Sequence, residues 1–108
     1  SVILVDDSIV RGNVMKSLVD NLRDCQVKEI HVRIPAPPVI DICELGIAIH
    51  KKEELIMNNR TVPEVKKELG VDSLKYLYIN EMGGIISDDS YSQCFTGEIA
   101  DEFKNWQP

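Results

Sequence analysis

No stretch of this 108-residue chain is apolar for long enough to cross a membrane, and none follows the order of a signal peptide. A basic cluster is missing too: 12 Lys and Arg stand against 18 Asp and Glu, for a formal charge of −6. That balance argues against nucleic acid as the main partner, and no membrane partner is expected. Cysteine is scarce and odd in number, with only Cys25, Cys43 and Cys94. Without secretory features, reduced thiols and a cytoplasmic location are the expectation. Neither His31 nor His50 has a partner at metal-ligand spacing. Internal repeats and low-complexity segments are absent as well. What remains is 44% hydrophobic residues, enough for one domain with a modest core.

The informative part is the beginning. Val2, Ile3, Leu4 and Val5 form a continuous apolar run, expected to be a strand buried on both faces of a parallel α/β sheet. The run ends in two adjacent carboxylates, Asp6 and Asp7, at the strand end where open α/β sheets bind ligands. Neighbouring strand residues point to opposite sides, so the two need not share one task. One can accept hydrogen bonds from vicinal sugar hydroxyls while the other faces a hydrated Mg²⁺, a hard ion that prefers oxygen. Beyond them, Ser8, Ile9, Val10, Arg11, Gly12 and Asn13 can wrap a phosphate with successive backbone N–H groups. Gly12 allows close approach, and a helix opening near Asn13 adds its positive end. An acidic chain can hold an anion where such amides and a metal supply the local field. The same residue types also serve as plain turn and helix caps. Arg11 can pair with a phosphate or with the acidic pair beside it.

With those residues in view, Val5-Asp6-Asp7-Ser8-Ile9-Val10-Arg11-Gly12 resembles the phosphoribosyl-pyrophosphate (PRPP) signature of type I phosphoribosyltransferases. Its wording is similar to that of the amidophosphoribosyltransferases in particular. His31-Val32-Arg33-Ile34, Pro37-Pro38, Glu53-Glu54-Leu55-Ile56, Asn59-Arg60, Leu69-Gly70, Asp72-Ser73-Leu74 and Cys94-Phe95-Thr96-Gly97 follow in that family's order. The resemblance implies that Asp6 and Asp7 hold the ribose hydroxyls of PRPP and its Mg²⁺. It implies that Ser8, Ile9, Val10, Arg11, Gly12 and Asn13 cradle the 5′-phosphate of PRPP or of a purine nucleotide. The family usually has two threonines after the glycine, where Asn13 and Val14 stand here. Asn13 can still donate and cap, but Val14 cannot, so phosphate affinity is expected to weaken by about 1 kcal/mol per lost bond.

The family's activity is transfer of glutamine-derived ammonia to PRPP, giving 5-phosphoribosylamine in purine biosynthesis. The chain is expected to be the C-terminal portion of such a transferase domain, without the glutaminase domain and with no catalytic residue of its own. An isolated chain of this kind is expected to be inactive, unless a separate glutaminase or transferase chain complements it. Some family members carry a [4Fe–4S] cluster, and the resemblance maps two of its ligands onto Cys43 and Cys94. Four thiolates are needed, so the cluster is expected to be lost. Cys25 is expected to be ordinary packing at a helix end.

The implied fold class is α/β: a partial type I phosphoribosyltransferase domain, with a Rossmann-like parallel sheet and an irregular helical C-terminal part. Residues 1–35 form a βαβ unit with the PRPP motif, and residues 36–108 a C-terminal subregion. Helical spacing of Val14, Leu18, Val19 and Leu22 predicts a helix over 13–24. Alternation of Ile30, Val32 and Ile34 with His31 and Arg33 predicts a second, parallel strand. Prolines 35, 37 and 38 then impose an extended loop. A short strand is expected over 46–49 and a short helix over 51–57. Thr61, Pro63 and Glu64 form a capping box for a helix that stops at Gly70. Residues 74–79 read as a strand with Tyr76 and Tyr78 on one face. Gly83-Gly84 weakens any helix there, and the last twenty residues look solvated. Lys51-Lys52 and Lys66-Lys67 read as solvated helix faces.

Two other classes compete. A response-regulator receiver domain also has an acidic pair after its first strand, but Asp41 follows Pro37-Pro38 too closely to be its phosphoacceptor. No suitable Lys-Pro follows, and the Ser-Ile-Val-Arg-Gly loop does not fit. The alternative kept is a non-catalytic folded fragment acting as a nucleotide-binding or interaction module, whose exposed sheet edge invites a homodimer.

Overall fold

The computed structural model describes residues 1–46, 48–85, 90–99, 101 and 104. Three parallel strands, β1 (Val2–Val5), β2 (Ile30–Ile34) and β3 (Ser73–Tyr76), form a sheet in the order β1-β2-β3. Val2 lies opposite Ile30 and Val5 opposite Arg33; His31 pairs with Ser73 and Ile34 with Tyr76. β2 is central, and Ile30, Val32 and Ile34 on its core face are at most 2% exposed. Helices α1 (Asn13–Asp24) and α2 (Val62–Leu69) cover that face through Met15, Val19, Val65 and Leu69.

The opposite face is open. Ile3 is 67% and Val5 71% exposed, so β1 is not buried on both sides as its unbroken apolar run suggests. An edge strand covered on one face has the same local sequence as a central one. What differs is whether something covers it.

Local signals hold where the hydrogen bonds are local. Thr61 and Glu64 form the capping box, with Thr61 N–H donating to Glu64 Oε2 at 2.6 Å and Glu64 N–H to Thr61 Oγ1 at 3.4 Å. Gly70 ends α2 at φ 72°. Arg23, in the last turn of α1, donates to the carbonyls of Val27, Lys28 and Gly70 and to Asp72 Oδ2. Asp72 Oδ2 also accepts the Ile30 amide at 2.8 Å, which ties the starts of β2 and β3 to the end of α1.

Local signals fail where a distant segment competes. The helix expected over 51–57 is only a 3₁₀ turn, Lys52–Glu54. Leu55 is extended, and the Ile56 amide donates to Val10 O at 2.9 Å, so the chain leaves the helix to join the first loop. Of the strand expected over 46–49, an isolated antiparallel bridge between Cys43 and Ile49 is present; residue 47 lies outside the described residues. The third strand starts at Ser73 and ends at Tyr76, and a 3₁₀ turn follows over Ile79–Met82. Tyr76 is buried, whereas Tyr78 is 44% exposed beyond the strand.

The tail is not uniformly solvated. A short helix, α3 (Gln93–Thr96), buries Gln93 and Cys94. Cys94 joins Val39, Ile49 and Leu55 in a second, smaller core beside the main one. Of the acidic tail residues, Asp101 is exposed and ion-paired with Lys104, while positions 88, 89 and 102 lie outside the described residues. Cys25 caps the end of α1 and is exposed, so it is not a packing residue.

Candidate functional site

The loop between β1 and α1 begins where the ladder ends. Asp6 N–H donates to Arg33 O at 3.3 Å, and the next amide turns inward, Asp7 N–H donating to Asp6 Oδ1 at 2.9 Å. Ser8 Oγ then donates to Asp7 Oδ1 at 3.1 Å. Short polar side chains make such turns because they satisfy nearby backbone groups. Both carboxylates are exposed.

The loop is held from beneath. Ile9 is 3% exposed in the main core, and Val10 packs on the smaller one while its carbonyl accepts the Ile56 amide. Asp6 and residues 8–15 line a cavity of 330 Å³. Asp7 is beside the cavity and not on its wall.

Arg11 does not pair with the acidic residues beside it. Its Nε and one terminal nitrogen donate to Glu54 Oε2 at 3.2 and 2.8 Å, and the same terminal nitrogen donates to Ala48 O at 3.0 Å. The acceptor lies far along the chain, so no local pattern could reveal it.

Gly12 is the cap of α1, at φ 83°, and no side chain caps this helix. Asn13 is the first helical residue and not the cap. The positive φ explains the shift: glycine enters the left-handed region without steric cost, so the chain turns one residue earlier. The first turn of α1 also carries no acidic side chain. Among the described residues, the amides of residues 8–15 donate to no protein acceptor. A row of unpaired N–H groups leading into a helix start makes a concave, positive surface suited to an anion of phosphate size.

No group of three or more His, Cys, Asp or Glu that could hold a metal occurs among the described residues. Asp6 and Asp7 can therefore contribute at most part of a Mg²⁺ shell, the rest coming from ligand oxygens and water, as is common for this ion. The cysteines of this segment do not by themselves complete an iron–sulfur site. The chain has three cysteines against four required thiolates, and Cys25 sits at the end of α1, away from the small core that holds Cys94. Cys43 packs against the small core that contains Cys94.

A parallel α/β sheet with an acidic strand end and an amide-lined loop defines a chain of the phosphoribosyltransferase fold. Comparison with known proteins narrows this. The chain is 51% identical over 76 residues to an amidophosphoribosyltransferase of Pyrococcus horikoshii, covering 70% of this chain and 17% of that protein. It is 36% identical to a chloroplastic amidophosphoribosyltransferase of Vigna aconitifolia, covering 99% of this chain and 23% of that protein. The solved glutamine PRPP amidotransferase of B. subtilis, complexed with ADP and GMP, superposes with a TM-score of 0.77 at 38% identity. That match covers 90% of this chain and 23% of the other. No family model matches. The chain is a member of the amidophosphoribosyltransferases over the segment it spans, and it spans about a fifth of the length of these relatives.

Proposed function

We propose that this chain supplies the ribose and 5′-phosphate half of a PRPP site in an amidophosphoribosyltransferase. The parent reaction joins glutamine-derived ammonia to C1 of PRPP as the bond from C1 to pyrophosphate breaks, giving 5-phosphoribosylamine for purine biosynthesis in the cytoplasm. The observation that carries the reading is the run of unpaired amides over residues 8–15 around the 330 Å³ cavity. In this reading Ser8, Ile9, Val10, Gly12 and Asn13 give their amides to the phosphate. Asp6, on the cavity wall, accepts from the ribose hydroxyls, and Asp7 faces the Mg²⁺ that accompanies PRPP. Arg11 shapes the loop through Glu54 and Ala48. No residue of this chain is assigned to the chemical step. A purine nucleotide is the second ligand of the same loop, a reading supported by the ADP and GMP in the B. subtilis complex.

An amide-resolved NMR titration with Mg²⁺-PRPP tests this. Saturable shifts over residues 7–13, lost in the Asp6→Asn, Asp7→Asn double variant, are expected. No shift at millimolar ligand would overturn the reading.

The exposure of Ile3 and Val5 on an edge strand favours a second role as an interaction module, through a homodimer or a complementing chain. Sedimentation equilibrium should then show a mass that rises with concentration and falls to the monomer in Ile3→Lys. A constant monomer mass counts against self-association.

A further inference from the structure

In the smaller core, on which Val10 of the phosphate loop also packs, the fold brings together two cysteines that are distant in sequence. Cys43 leaves the proline loop and pairs with Ile49 in a single antiparallel bridge. Cys94 lies in α3, and its carbonyl accepts the amides of Ile40 and Asp41 at 2.8 and 3.2 Å. Those bonds hold the two segments side by side, and Cys43 packs against the small core to which Cys94 belongs. Their exposures differ. Cys94 is 6% exposed within the smaller core. Cys43 is half-buried on the wall of an open 460 Å³ depression shared with Gly46, Ala48, Ile49 and His50.

We propose that Cys43 and Cys94 form a thiol pair that peroxide converts to an intramolecular disulfide, with Cys43 as the attacked thiol and Cys94 as the resolving one. The Cys43 thiolate attacks one peroxide oxygen; an S–O bond forms, the O–O bond breaks and hydroxide leaves. Cys94 sulfur then attacks Cys43 sulfur; the S–S bond forms and the S–O bond breaks. The departing hydroxide takes up the Cys94 proton as water. Two thiols and one hydrogen peroxide give one disulfide and two waters.

The asymmetry sets the roles. A small oxidant reaches Cys43 through the depression, whereas Cys94 is shielded. Because both cysteines belong to one small core, the resolving step is intramolecular and is favoured over further oxidation by solvent peroxide. The resulting bond staples the 40–43 segment to α3 across the small core. It also constrains the unfolded chain, so oxidation raises stability. This inference is independent of PRPP binding.

The test is hydrogen peroxide titration of the folded chain, alkylation of remaining thiols, and peptide mapping by mass spectrometry without reduction. The expected product is one Cys43–Cys94 crosslinked peptide pair, undiminished in Cys25→Ser, returned to two thiols by dithiothreitol, and accompanied by a higher melting temperature. In Cys94→Ser, dimedone should trap Cys43 as a stable sulfenic acid. Because that variant alters a core residue, transient dimedone labelling of Cys43 in the unmodified chain gives a second readout. Sulfinic acid on Cys43 with Cys94 still a thiol overturns the proposal. So do crosslinks through Cys25, or no reaction at either site.

Discussion

A Cβ placed on Gly12 would lie 2.4 Å from Cδ1 of Ile56. The cap of α1 and the extended segment after the Lys52–Glu54 turn thus touch with no room for a side chain. The neighbouring bond from Ile56 N–H to Val10 O, at 2.9 Å, fastens the same two segments. The shape of the phosphate loop is therefore set by a contact with residue 56 as much as by its own sequence.

Gly12→Ala should combine that clash with strain at φ 83° and cost about 2–3 kcal/mol. Gly70→Ala is the control, since φ is 72° there and nothing lies within 4 Å; it should cost about 1 kcal/mol. Urea unfolding of both variants measures the difference. Equal losses would mean that Ile56 moves aside freely.

Val14 is 79% exposed at the start of α1 and lines the cavity. Val14→Thr adds a hydroxyl there without disturbing the core. One further bond to a phosphate should gain about 1 kcal/mol, roughly fivefold in affinity for PRPP by NMR titration. An unchanged affinity would show that this position does not reach the phosphate.

Asp41 is 5% exposed and ion-paired with Lys52 at 2.9 Å. Burial raises its carboxyl, but the Lys52 hydrogen bond, the Ile42 amide and the Lys52 charge outweigh it, and the group lies below its ordinary 3.8. Asp72 is lowered as well, by the Ile30 amide and then Arg23. A carboxyl depressed on folding contributes stability that is present above its unfolded value and lost as pH falls through the folded one. Stability should therefore drop below about pH 4. Asp41→Asn should flatten that drop in urea midpoints measured against pH, and an unchanged slope would contradict the assignment.

Tyr76 is 7% exposed, and its hydroxyl is without a partner among the described residues. Burial pushes the phenol up to about 12. A hydroxyl buried without a bond carries its desolvation cost uncompensated, so Tyr76→Phe should be neutral or stabilise by up to about 1 kcal/mol. A loss larger than that in calorimetry would reveal a hydrogen bond made by this hydroxyl in solution.

The sequence by itself determined the elements whose bonds close within a few residues. The capping box of Thr61 and Glu64, the stop at Gly70, the helix from Asn13 and the alternation of β2 are all local, and all stand at the expected positions. The acidic strand end and the glycine loop were legible for the same reason, being contiguous in the chain.

Tertiary structure decided what distant segments impose. Ile56 gave its amide to Val10 and left the helix its neighbours favour; Arg11 turned to Glu54 and Ala48; Cys43 came to pack on the small core that holds Cys94. The exposure of Ile3 and Val5 was decided there too, because an apolar residue carries no local record of whether anything covers it. Each of these outcomes depends on a partner many residues away, and periodicity and capping reach only one or two turns along the chain.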